Sequence, residues 1–214
     1  MSETFQSGGA AMKSYRWMII LFLCFLVLSC AKARTYSLYL RYQPGRDFPS
    51  LQQKIGSTLG IAPFKDERSD TLYIGIHIPH QGISSYFKSD PFPLERAIQE
   101  SVTEVLSRQG VKTVPVSNWD GKPESLKTME TDSILMVEIK RFWTEGRAAT
   151  FKTDVKTSIH LVIHLGVKKE GKVFTKNVTV EKEMAVFGLA PEKVEQTINE
   201  ILTDIFDAFF SDPY

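Results

Sequence analysis

Cysteine is nearly absent from this chain, and its scarcity excludes several kinds of chemistry. The 214 residues contain two cysteines, Cys24 and Cys30, which lie within and at the end of one apolar segment. Cleavage before Cys30 and modification of its thiol would leave no free cysteine. The mature chain would then have no disulfide, no cysteine nucleophile and no thiolate metal ligand.

The sequence also lacks an excess of charge of either sign. It has 26 basic and 25 acidic residues. Loss of residues 1–29 would remove two basic residues and one acidic residue, which leaves 24 of each. The mature chain would be formally neutral, whereas a nucleic-acid-binding surface needs a basic excess. We therefore expect no nucleic-acid partner. A second long apolar run and internal repeats are missing too, which predicts a single domain.

The one apolar run, Trp17–Leu28, is typical of a secretory signal. Lys13 and Arg16 precede it, and it is shorter than the roughly 20 residues that span a bilayer. It ends in the sequence VLSC, which is typical of a bacterial lipoprotein cleavage site. Cleavage between Ser29 and Cys30 would leave Cys30 to receive the lipid. An uncleaved N-terminal helix and an ordinary secretory signal are the alternatives.

These patterns divide the chain into three predicted segments. Residues 1–11 are polar and precede a second candidate start at Met12. Ala31, rather than aspartate, follows the modified cysteine, which favours the outer membrane and its periplasmic face. The predicted segments are 1–29 as signal peptide, 30–58 as lipid anchor, tether and first strand, and 59–214 as a single α+β periplasmic domain.

Two amphipathic helices and a long hairpin dominate the domain pattern. Leu94–Gln109 has one apolar stripe and ends before Gly110, and a second helix opens at Pro191. Two alternating segments, Val155–Val167 and Lys172–Met184, predict a hairpin.

Shorter runs predict the remaining strands. Pro79–Pro93 is predicted to be a long loop and Thr144–Arg147 a turn. We expect an α+β fold whose largely antiparallel sheet has about six strands, with the two amphipathic helices packed on one face. The remaining predicted strands are Thr35–Tyr42, Leu59–Phe64, Leu72–Ile78, Val111–Val116 and Ile134–Trp143.

The histidines are the best constellation for metal chemistry. His160 and His164 share one side of a predicted strand, but they lie about 13 Å apart along it, too far to hold one ion. His77 and His80 could join them only if their strands are neighbours. We expect surface or half-buried histidines, no metal site and no cofactor.

Other catalytic signals are weak. Motifs of nucleophilic hydrolases, zinc proteases, phosphate-binding loops and dinucleotide-binding folds are absent. The acidic residues Asp66, Glu67 and Asp70 could form an acid–base pair in a cleft, but a solvated turn is the favoured interpretation. We assign no catalytic residues and expect no enzyme activity.

Three aromatic residues fall in predicted loops and turns, and a fourth ends a predicted strand just before a turn: Phe87, Phe92, Trp119 and, at the strand end, Trp143. Aromatic side chains on loops are typical of partner-binding surfaces. The alternative is that they fold back and cover the open end of the core.

Several features together resemble the YajG-like family of small bacterial lipoproteins. They are the motif ending in Cys30, the helix leading into Gly110, the strand Ile134–Lys140, the hairpin Val155–Met184 and the helix segment Ile198–Asp204. The resemblance implies an envelope lipoprotein with no established activity and no catalytic residues.

The sequence thus predicts a lipid-anchored, non-enzymatic lipoprotein of the bacterial cell envelope. It would contact the membrane through its N-terminal lipid and bind another, unidentified envelope protein or lipid. Two alternatives differ in class. One is an auxiliary lipoprotein subunit of an ABC-type system that transports lipid or another hydrophobic ligand, which predicts an apolar pocket between helices and sheet. The other is a hydrolase with an unrecognised site.

Overall fold

The structure, a computed structural model, describes residues 33–214 and has the predicted α+β class. Residues 34–214 form one compact unit. Its strands and helices, numbered here in chain order, are β1 (Thr35–Tyr39), α1 (Leu51–Ile55), β2 (Thr58–Ile61), β3 (Lys65–Asp66), β4 (Gly75–Ile78), β5 (Ser85–Asp90), α2 (Leu94–Arg108), β6 (Lys112–Pro115), β7 (Ser133–Ala148), β8 (Thr153–Val167), β9 (Lys172–Val186) and α3 (Pro191–Ser211).

The sheet has nine strands and is mixed, so the expectation of about six largely antiparallel strands is wrong. Strand β7 organises it. One edge of β7 pairs antiparallel with β8, which continues into β9. The other edge pairs in parallel with β2, β3 and β4 in turn. Beyond these lie β6, which is parallel to β2, and β5 and β1, which are parallel to each other.

Two local predictions are corrected by this pairing. The predicted loop Pro79–Pro93 contains strand β5, because Ser85–Phe87 pairs antiparallel with β4. The predicted turn Thr144–Arg147 is the last part of β7, where the backbone is held on both sides by β4 and β8. The predicted hairpin is confirmed as β8 and β9, and its turn ends at Gly171 with φ 60°.

The two long helices bury their apolar stripes in one core with one face of the sheet. Segment 34–58 contributes to that core through Leu38 and Leu51, among others. A smaller cluster on the opposite face of β7 joins Trp119 and Leu126 to Ile134. The core therefore lies between the sheet and the helices, as the two stripes predict.

The outer edge of β1 is covered by side chains of α3. The backbone N–H of Tyr39 donates to Glu195 Oε2 at 2.8 Å. The amide of Asn199 accepts from the N–H of Arg41 at 2.9 Å and donates to the carbonyl of Tyr39 at 3.0 Å. Thr203 Oγ1 likewise donates to the carbonyl of Gln43 at 3.1 Å. Helix side chains spaced by four thus satisfy a strand edge that would otherwise invite pairing.

Candidate interaction surface

Two of the four aromatic residues considered as a partner surface are buried. Phe87 is 0% exposed and Trp119 3% exposed, whereas Phe92 is 44% exposed. Trp143, on β7, is partly buried. The predicted partner surface therefore keeps Phe92 but loses Phe87 and Trp119. Ser29 and Cys30 lie outside the described residues.

Position in the fold explains the burial of Phe87 and Trp119. Phe87 belongs to β5 and faces the main core, with its ring 6.2 Å from that of Tyr36. Trp119 packs in the smaller cluster, and its indole N–H donates to Ser125 Oγ at 3.0 Å. For these two residues the alternative interpretation, that the aromatics cover the core, is the correct one.

A cleft of about 300 Å³ separates the chain after β1 from α2. The backbone N–H of Tyr42 donates across it to Ser101 Oγ at 2.5 Å. Polar and charged groups dominate its wall. Its lining residues are Tyr39, Leu40, Arg41, Tyr42, Gln43, Pro91, Ala97, Glu100, Ser101, Glu104, Val105 and Arg108.

Two cation–aromatic pairs stand beside this cleft. The guanidinium of Arg41 lies 4.3 Å from the ring centre of Tyr39, and the ammonium of Lys88 lies 4.0 Å from that of Phe92. Both rings are exposed. Such pairs present an apolar face and a charge together, which suits protein recognition more than it suits an acyl chain.

Of the three acidic residues predicted to lie in a solvated turn, Glu67 and Asp70 are exposed, but Asp66 is not. The side chains of Asp66 and Arg68 are 5% and 6% exposed and form a two-pronged ion pair. Arg68 also donates to the carbonyl oxygens of Tyr73 and Phe142 at 2.8 and 3.0 Å. The pair therefore ties the segment before β4 to β7 and has a structural role.

The histidines do not converge. His160 bonds with Asn177 at 2.5 Å, and His164 Nδ1 bonds with Thr175 at 2.9 Å. His77 is buried on β4, and burial lowers its pKa. Among the described residues, no group of three or more histidine, cysteine or acidic side chains is placed to hold a metal ion.

A second exposed apolar group was missed by the sequence reasoning. Phe151 and Phe187 are 80% and 90% exposed, and Ile83 is 51% exposed. They sit in the turn between β7 and β8, just after β9, and in the turn between β4 and β5. The sequence did contain a signal for this group: each of two polar connections next to clearly patterned strands holds a phenylalanine.

These three residues lie at one end of the sheet, which we call the Arg34 end. Strands β4, β7 and β9 finish there, whereas β1, β5 and β8 start there. The carbonyl of Arg34 accepts from the backbone N–H of Tyr86 at 2.9 Å, which fixes the start of the domain at this end. Tyr39 ends β1 and Phe92 follows β5, so both lie beside the cleft at the far ends of these two strands, which we call the cleft end.

Comparison with solved structures identifies the fold. The chain is similar to protein XCC0632 from Xanthomonas campestris, of the family DUF330, with a TM-score of 0.55 and 14% identity. The match covers 84% of this chain and 93% of that one. The chain therefore has the fold of that DUF330 protein.

A more distant structural neighbour is lipoprotein GNA1162 from Neisseria meningitidis. Its TM-score is 0.41 and its identity 12%, over 71% of this chain and 99% of that one. No protein-family model and no curated protein matches the sequence. Within residues 33–214, no helix combines the length and the apolar character needed to cross a bilayer.

Proposed function

We propose that this protein is a bacterial envelope lipoprotein of YajG-like type, anchored by lipid on Cys30 at the periplasmic face of the outer membrane. Its domain binds another envelope protein and performs no catalysis. The observation that carries the proposal is the apolar segment ending in VLSC, followed after a few residues by the folded domain that starts at Arg34. A fold shared with a DUF330 protein is compatible with this role.

The anchor is tested by removing the acceptor thiol. Cys30→Ser should abolish lipidation and, in a chain that has also been freed of the apolar segment 17–28, move the protein from the membrane fraction to the soluble periplasmic fraction. Bacterial lipoproteins carry several acyl chains, and each buried CH₂ contributes about 0.8 kcal/mol to membrane affinity, so the change should be nearly complete. Membrane fractionation and mass spectrometry of the mature N-terminal peptide give the readout.

Cys24→Ser is the matched control for this experiment. Cys24 is the other cysteine of the chain and lies inside the predicted signal, so its replacement should change neither the mass of the mature protein nor its fractionation. Because the apolar segment 17–28 holds an uncleaved chain at the membrane, the mass of the N-terminal peptide decides the test: an N-terminal peptide of the unmodified sequence that carries no acyl chain at Cys30 would contradict the lipid anchor.

For the binding role, we propose the cleft end as the partner surface. Tyr39 and Phe92 are exposed there, and Arg41 and Lys88 lie against their rings. Anchoring raises the local concentration of the domain near other envelope proteins, so a weak contact at this surface is sufficient. The polar wall of the cleft favours a protein partner over the hydrophobic ligand of the transport alternative.

The partner is tested with a photo-crosslinking residue at position 92 of the lipidated protein in living cells. We expect one discrete crosslinked envelope protein, and we expect Tyr39→Ala to reduce its yield. A crosslinker at exposed Lys127, on the far side of the sheet from the helices, is the control. Equal yields from positions 92 and 127 would contradict the assignment of the cleft end.

A further inference from the structure

We propose that the Arg34 end of the sheet rests on the lipid bilayer, with Phe151 and Phe187 inserted among the headgroups and upper acyl chains. This inference rests on the proposed lipid anchor and goes beyond it. A lipid on Cys30 fixes only the N-terminus, whereas this contact fixes the orientation of the whole domain.

Chain length places this end near the membrane. Three residues lie between Cys30 and Arg34, and the four residue-to-residue steps span at most about 14 Å when fully extended. Arg34 itself is held against β5 through its carbonyl. A lipid-bearing Cys30 therefore keeps the start of β1 within about 14 Å of the bilayer surface.

The apolar side chains of the same end provide the contact. Phe151, Phe187 and Ile83 come from three separate connections, and the two phenylalanines have the largest exposed fractions of all large apolar residues described. Exposed aromatic and aliphatic side chains on one surface are typical of insertion into the boundary between headgroups and acyl chains.

The basic side chains that flank Phe151 in the sequence are paired with carboxylates. Arg147 pairs with Glu145, and Lys152 pairs with Asp154 at 2.7 Å. Because these charges are paired locally, apolar insertion rather than electrostatic attraction drives the proposed contact. The cleft end then faces away from the bilayer, with Tyr39 up to about 13 Å farther out than Thr35, since each residue of β1 adds roughly 3.3 Å.

The scarcity of cysteine makes a direct test practicable. Thr150→Cys places a thiol in the exposed turn beside Phe151, and Leu72→Cys places one at the exposed residue 72 before β4, at the cleft end. Each lipidated protein is labelled with a thiol-reactive fluorophore and reconstituted into phosphatidylethanolamine–phosphatidylglycerol vesicles that contain a lipid-borne quencher. We expect several-fold stronger quenching at position 150 than at position 72.

A second variant links the quenching to the two phenylalanines. Phe151→Ser with Phe187→Ser should reduce quenching at position 150 to the level of position 72, without loss of folding, because both side chains are exposed. Flotation of the vesicles separates the outcomes. A protein that floats but shows a water-exposed label at 150 would overturn the bilayer contact alone. A protein that does not float overturns the anchor as well.

Discussion

Phe87→Ala should lower the free energy of unfolding by about 3–5 kcal/mol, the range for removal of a fully buried phenylalanine ring. Phe92→Ala should change it by less than about 1 kcal/mol, because Phe92 is exposed and its pair with Lys88 contributes roughly 0.5–1 kcal/mol at most. The two residues are five positions apart and of one chemical type, so the pair isolates the effect of burial. Urea denaturation of the domain without its signal gives both values.

Close packing around Phe87 explains the large loss of stability expected for Phe87→Ala. Its ring fills the space beside Gly75, where even a Cβ atom would lie 3.0 Å from Phe87 Cδ2. The backbone of β5 is held there as well, because the N–H of Ile74 donates to the carbonyl of Phe87 at 2.9 Å. Because the backbone is fixed, it cannot move in to fill the cavity that Phe87→Ala creates. The free-energy cost of that cavity is therefore retained.

Phe92 lacks such surroundings. Its ring is in contact with the ammonium of Lys88 at the surface, and such exposed pairs contribute roughly 0.5–1 kcal/mol at most. A loss of stability for Phe92→Ala equal to that for Phe87→Ala would show that the loop after β5 is part of the core. It would then also remove Phe92 from the proposed partner surface.

The sequence could not separate these two phenylalanines. Residues 85–90 read SYFKSD, a short run with few apolar residues, and the strand exists because β4 and β1 bind it on both edges. Without the strand, the side to which Phe87 points is undefined. Phe92 lies beyond the strand end, where the prediction of a loop was correct.

Elements with long periodic patterns were predicted well. The stripe of α2 and the alternation of β8 and β9 repeat over fifteen residues each, so single exceptions do not hide them. The parallel pairings of β7 were not predictable in this way, because they join segments distant in sequence. Gly146 illustrates the difficulty. It looks like a turn residue, but it lies in β7, where a Cβ atom would meet Thr153 and His77.

Asp66→Ala should destabilise the domain by about 3–5 kcal/mol, because it leaves the Arg68 guanidinium buried without its counter-charge. The two side chains share two hydrogen bonds, of 2.8 and 2.7 Å, and are almost inaccessible to solvent. Asp154→Ala is the matched control. Asp154 pairs with Lys152 at the same spacing of two residues, but both side chains are more than half exposed, so its loss should cost less than about 1 kcal/mol.

A double-mutant cycle separates the ion pair from the other bonds of Arg68. Arg68→Ala removes the buried charge, and it also leaves the carbonyls of Tyr73 and Phe142 without this donor. Asp66→Ala combined with Arg68→Ala should therefore be much less destabilising than the sum of the single changes, because no charge is left unpaired. Strictly additive losses of stability would show that Asp66 and Arg68 contribute independently. The segment before β4 would then be held by the bonds from the Arg68 side chain to the carbonyls of Tyr73 and Phe142, and not by the ion pair.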